Sequence, residues 1–285
     1  MSTDDHFPAG SVIRRVNIEP AIMFGAGRAL LLQLAHPAVA QGVEDHSDFK
    51  GNPFKRLQGT LEATYAVVFG SGDLAEEVGR RIRWIHGFVR GPGYEANDPL
   101  NLLWVHATLA DTALRCYTTL VEPLSSDDEE TYYREMMRVA EVFGVPRDEQ
   151  PATLAEFRRY VDDTIATIDV SDVGRDLAAF ILEPTLPLRL HIPLAPLLAL
   201  QRRFTLGTIP PPIRAQLGVE WTEHDQRAFE RVERRVHAIF RRTPRPIRTA
   251  PNRLLGPVLL WQATRHVDQW RQKTRTNHTS DSTAA

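Results

Sequence analysis

An all-α fold is predicted by three observations. Apolar residues recur at helical spacing along most of the chain. No run of four to eight residues alternates apolar with polar. Cap residues stand where the apolar stripes begin and end. The expected organisation is one helical domain over residues 1–272, with a tail at 273–285 that lacks any apolar face.

The elements follow in order. Residues 30–49, LLLQLAHPAVAQGVEDHSDF, start as a Leu-rich segment and break at His36-Pro37. Proline disfavours helical geometry at the residue before it, so the chain is expected to bend at His36. In 54–69, Phe54, Leu57, Leu61, Tyr65 and Val68 form one stripe, and GSG at 70–72 ends that helix. In 73–90, Leu74, Val78, Ile82, Ile85 and Val89 repeat the pattern, with Arg90 expected one helical turn beyond His86. Residues 99–120 are apolar on most sides and read as a buried helix. Acids at 127–130 suit the positive start of the next helix, and Gly144 is its expected C-cap with Pro146 beyond. Thr153 and Glu156 read as a capping box. In 222–242, Phe229, Val232, Val236, Ile239 and Phe240 form a stripe with arginines opposite. Residues 184–213 carry seven prolines among leucines, too many for one regular helix. That segment is too apolar for a solvated linker and is expected to wrap against the body and cover a cavity.

Composition narrows the function. The 285 residues are 42% apolar and 25% charged with net charge −2, which suits a soluble globular chain and gives no general attraction to nucleic acid or acidic lipid. One cysteine, Cys116, excludes an internal disulfide framework and favours a reducing, cytoplasmic location. No apolar run is long enough to span a membrane, and MSTDDHFPAG is too acidic for a signal peptide. The chain holds no HExxH, CxxC, CxxCH, P-loop, ExxH or GxSxG. MFGAG precedes a helix with no strand before it, so it is no dinucleotide fingerprint.

Several residues are left to carry chemistry. His86 lies on or beside an apolar stripe, where a neutral imidazole is either a hydrogen-bonded core residue or a ligand for haem iron. Arg56 and Thr60 are four apart and share a helix face, either solvated or at a pocket edge. His106 and Asp111 lie in the buried helix, as structural partners or as support for a ligand. His36, with Glu44, Asp45, His46 and Asp48, stands as a further cluster able to act without metal as acid and base.

QLAHPAVAQGVEDHSDF, RLQGT, FG at 69–70, IHGFVRG, YEANDP, LLWVHATL and YYREMMRVAEVFGVP form an ordered series over roughly residues 12–240. The series resembles the MpaB-type oxygenase family, which shares its catalytic domain with the latex-clearing rubber oxygenases. The resemblance implies a globin-like all-α domain holding a non-covalent haem b, with dioxygen as co-substrate and an apolar substrate. It implies His86 as the iron ligand with Arg90 beside it, and Arg56 and Thr60 in the haem pocket. His36 and His106 are the competing ligands, and Glu44 or Asp45 the expected base. Where the rubber oxygenases carry a lysine immediately before the threonine, this chain has Gly59, and the acid stands at a different spacing. The expected substrate is therefore a small terpenoid or lipid-like molecule rather than rubber. The alternative is a haem or apolar-ligand binder without turnover. The oligomeric state is left open.

Overall fold

A computed structural model describes residues 5–47, 53–183 and 188–282, with side chains described at 5–47, 58–183 and 195–275. The chain starts with α1 (Val12–Asn17), a 3-10 turn (Pro20–Gly25), α2 (Ala26–Ala35) and α3 (Pro37–His46). It continues with α4 (Pro53–Phe69), α5 (Gly72–His86), strands β1 (Arg90–Gly91) and β2 (Tyr94–Glu95), and α6 (Pro99–Leu120). Then follow α7 (Ser126–Phe143), a 3-10 turn (Arg147–Glu149), α8 (Leu154–Thr167), α9 (Asp172–Leu182) and α10 (Leu188–Thr208). The last elements are α11 (Pro211–Gln216), α12 (Glu223–Arg242), α13 (Arg245–Arg248) and α14 (Ala250–Ser282). The architecture is all-α, with one antiparallel two-residue ribbon among the described residues.

The bend at His36 is where proline chemistry places it. His36 closes α2 and opens α3 with φ −78° and ψ 121°, and the two helical arms turn by 101°. Gly144 ends α7 at φ 104°, a left-handed cap that a Cβ would strain. Ser125 caps the start of α7 through Asp128 N–H, with three acids in the first turn.

The core is built around α6. Trp104, Tyr117 and Leu120 are fully buried there. Trp104 Nε1 donates to Leu32 O at 2.9 Å, which fixes α6 against α2. Gly25 lets the entry to α2 approach α6 closely, because a Cβ there would overlap Thr112 and sit 2.6 Å from Cys116 Sγ. The glycines of MFGAG thus serve packing. Below them, Arg28 is buried and pairs with Asp111 at 2.7 Å while donating to Thr112 Oγ1 and Thr208 O. Asp111 is therefore a structural partner.

Several expectations need correction. The proline-rich segment is, as expected, not one regular helix, since the helix at 188–208 ends before α11 opens at Pro211, yet that helix does contain Pro193 and Pro196. Pro193 and Pro196 each remove a single N–H, and the remaining turns continue through buried Phe204, Leu206 and Thr208. It packs against the body, as expected, beside α2 and α12. Helix α14 runs to Ser282, into the stretch 273–285 expected to lack structure. No proline or glycine follows Pro257, and each added residue gains a hydrogen bond. Ile239 leaves the α12 stripe and is 64% exposed, while Ala228, Phe229, Val232, Val236 and Phe240 meet the body. Glu156 returns to Ala152 N–H instead of Thr153 N–H, so the complete capping box is at Thr222 and Asp225.

Candidate functional site

Helices α4 and α5 pack side by side and carry the residues of the expected site. Ser71 caps α5, its side chain accepting from Leu74 N–H, and the core face of the helix holds Ala75, Val78 and Gly79. That face leaves the core toward the C-terminal end. Val78 is 3% exposed, but Ile85 is 36%, Trp84 43% and Phe88 63% exposed. His86 is half-buried at the last position of α5, with its Nδ1 buried. Trp84 stacks edge-on against Phe88 at 4.9 Å, and Trp270 of α14 lies 6.3 Å from Trp84. Sequence reasoning missed Trp84 and Phe88 as site residues, although their four-residue spacing beside His86 was a readable signal.

Arg90 is not on the helix. Gly87 caps α5, a turn joins Ile85 O to Phe88 N–H and His86 O to Val89 N–H, and Arg90 opens β1. Gly93 at φ 81° allows the hairpin that returns the chain at Tyr94. The Arg90 side chain is exposed, so its guanidinium stays open to an anionic partner.

The hairpin joins α3 to the end of α5. Tyr94 donates to Asp45 Oδ2 at 2.6 Å, and His46 Nε2 lies 3.0 Å from the Tyr94 hydroxyl and 3.3 Å from Arg90 O. A hydrogen on His46 Nε2 serves both acceptors. His46 and Asp45 are thus a helix-end hydrogen-bond cluster. The Tyr94 bond holds the Asp45 carboxyl below the usual carboxylate range, and Gln41 adds to the effect. A carboxylate held that way is a weaker base. Glu44, one residue earlier, is exposed.

The other candidates separate in space. His36 is half-buried at the α2–α3 bend. Burial lowers its pKa, opposed by the charge of Asp98, so the ring is neutral at pH 7. Its Nδ1 is buried and has no hydrogen-bond partner among the described residues. His106 lies inside the core and hydrogen-bonds to the Met136 backbone of α7, with burial pushing its pKa down to about 4. It faces α7 from α6 as a structural histidine. Thr60 is half-buried on α4, next to exposed Gly59, where a Cβ would meet open space. The Arg56 side chain and Asp48 lie outside the described residues.

A set of three His, Cys, Asp or Glu side chains able to hold a metal is absent among the described residues. A haem iron takes four ligands from its ring and needs one from the protein. A single imidazole at the helix end that also exposes Trp84, Ile85 and Phe88, with an exposed arginine four residues on, fits that donor set.

Residues 13–239 match the family described as ER-bound oxygenase mpaB/B'/Rubber oxygenase, catalytic domain. The chain belongs to this family. It carries an oxygenase catalytic domain, and oxidoreductase chemistry is the coarse activity this supports. The mpaB/rubber oxygenase domain spans α1 to most of α12 and ends before α13 and α14. Two similar chains are uncharacterized proteins, one of Mycobacterium bovis and one of Mycobacterium tuberculosis. Each is 26% identical over 217 residues, covering 70% of this chain and 82% of the relative. No solved structure gives a significant match. Among the described residues no single helix is long and apolar enough to cross a membrane.

Proposed function

We propose that the protein is a haem b-dependent oxygenase acting on a small apolar substrate of terpenoid or lipid-like kind. The observation that carries the reading is His86 at the end of α5, the helix end that also exposes Trp84, Ile85 and Phe88, inside an oxygenase catalytic domain. When bound, haem would supply an iron that activates dioxygen. His86 offers its lone pair as the protein ligand, with Arg90 free to pair with the haem carboxylates. Thr60 contributes a hydroxyl on the facing helix. Gly59 leaves beside it the space that a longer side chain would take. Asp45 stays engaged with Tyr94 and keeps the hairpin against α3. Glu44 is the acid left to accept a proton from an activated C–H, at its Oε atoms. Exposed aromatic surface at the same helix end suits an apolar substrate and excludes water once covered.

The test is spectroscopic. Purified protein supplied with haem should show a Soret band, and His86→Ala should lose that band and its haem content. An unchanged band in His86→Ala moves the ligand to another residue, with His36 next. Absence of the band in the unaltered protein removes the haem assignment. Haem binding without dioxygen uptake across a panel of isoprenoids would leave a binding protein.

A further inference from the structure

We propose that α13 and the first half of α14 form a docking face for the surface of an anionic lipid bilayer. Helix α14 is apolar on two opposite sides, and the body covers only one. At 100° per residue, Gly256, Ala263 and Val267 share a face. That face packs on α4, where Ala263 and Val267 are buried with Ala63 and Ala66, and Gly256 approaches Tyr65. Leu254, Val258 and Trp261, at steps of four and three, lie on the opposite side. They are 76%, 49% and 58% exposed, with Leu255 and Ile247 of α13 open beside them at 55% and 65%. Single exposed apolar residues are ordinary, but a contiguous group on one helix side marks a contact surface.

The charge around this group selects the partner. Between Glu233 and Asp268 the chain has no acid and eight arginines, in a protein whose net charge is −2. Arg248 is used internally, bonded to Glu19. Arg241, Arg242 and Arg253 make no ion pair among the described residues, and Arg265 lies over the Trp261 ring at 5.4 Å. An apolar helix side with Trp and Leu at its centre and arginines at its rim is the pattern of a helix lying in a membrane interface. There the indole and aliphatic groups enter the headgroup boundary and the guanidiniums meet lipid phosphates. A second copy of this chain is a poor occupant. A two-fold contact would set the two arginine rims against each other, with Asp268 the nearest acid along that side of α14. The face lies outside the oxygenase domain match and does not depend on which cofactor α5 holds.

Flotation of the full chain with vesicles tests this. One vesicle set is pure phosphatidylcholine, and the other contains about one-third phosphatidylserine. Binding is expected to the anionic set only and to weaken between 50 and 500 mM salt, roughly as Debye screening shortens. Arg253→Gln with Arg265→Gln should weaken it about thirty-fold, near five-fold per arginine. Leu254→Ser with Trp261→Ser should abolish it. These side chains face outward, so the melting temperature should hold, and Arg227→Gln on α12 should bind as the unaltered chain does. The proposal is overturned if the anionic vesicles bind no better than the neutral ones. It is equally overturned if the Leu254→Ser/Trp261→Ser variant still floats, or if that variant instead disperses a dimer seen without lipid.

Discussion

Replacing Arg248 with methionine tests how the α13–α14 arm is held to the oxygenase domain. Glu19 is fully buried, and Arg248 reaches it twice, Nε to Oε2 at 2.8 Å and Nη2 to Oε1 at 3.0 Å. The next cation is Arg245, whose Nε is 4.0 Å away on an exposed side chain. In Arg248→Met the carboxylate keeps its burial and loses both bonds. Stranding a buried charge this way costs about 3–5 kcal/mol. For a chain of this size that is a fall in Tm of about 5–8 °C, from the usual unfolding entropy per residue. Scanning calorimetry or urea unfolding at pH 7 reads the change. The double variant Glu19→Met/Arg248→Met should recover most of the loss, because an apolar pair of similar volume in place of a buried ion pair is near neutral. A loss under about 1 kcal/mol for Arg248→Met, or a double variant no better than the single, would refute the argument.

Other outcomes follow from the same packing. His106 has a folded pKa of about 4 against an ordinary 6.5, so the unfolded chain takes up its proton first as pH falls. Its contribution is complete above pH 6.5 and shrinks by roughly 3 kcal/mol on descending to pH 4. His106→Gln, which keeps a donor for Met136 O, should flatten urea-derived stability across that window, and an unchanged slope would count against it. Burial pushes the Cys116 thiol up to about 12, so a thiol reagent at pH 8 should label it only on unfolding. Fast labelling of the native protein would contradict that. Gly144→Ala should cost at least about 1–2 kcal/mol in a thermal melt. The left-handed φ strains a Cβ, which would also sit 2.8 Å from Arg83 Cδ, and a neutral result would show that the cap relaxes.

Local chemistry was readable wherever one residue dominates its own backbone. Pro37 sets the bend at His36, Gly144 stops α7, and Ser125 with its acids starts it. The motif series pointed to the family that residues 13–239 match. The cluster of Asp45, His46 and Tyr94 was half legible. The acids and histidine stood together in sequence, but Tyr94, 48 residues from His46, joins them only when the hairpin folds back. Periodicity also carried too far. It extended α5 past His86 to Arg90, because Val89 continues the stripe although Gly87 ends the helix.

The sequence by itself determined the all-α class, the bends and caps, the family, and the short set of side chains on which oxygenase chemistry can rest. Those features depend on neighbours within a few residues, where proline rings, missing Cβ atoms and cap hydroxyls act alone. Only the tertiary structure decided which histidine is core and which is half-buried at a helix end. His106 meets Met136 across two helices, while the end of α5 projects Trp84, Ile85 and Phe88 beyond the core. It likewise paired Glu19 with Arg248 across 229 residues and left one apolar side of α14 uncovered. Burial depends on which distant segment arrives to exclude water, and a helical stripe does not state whether its partner exists.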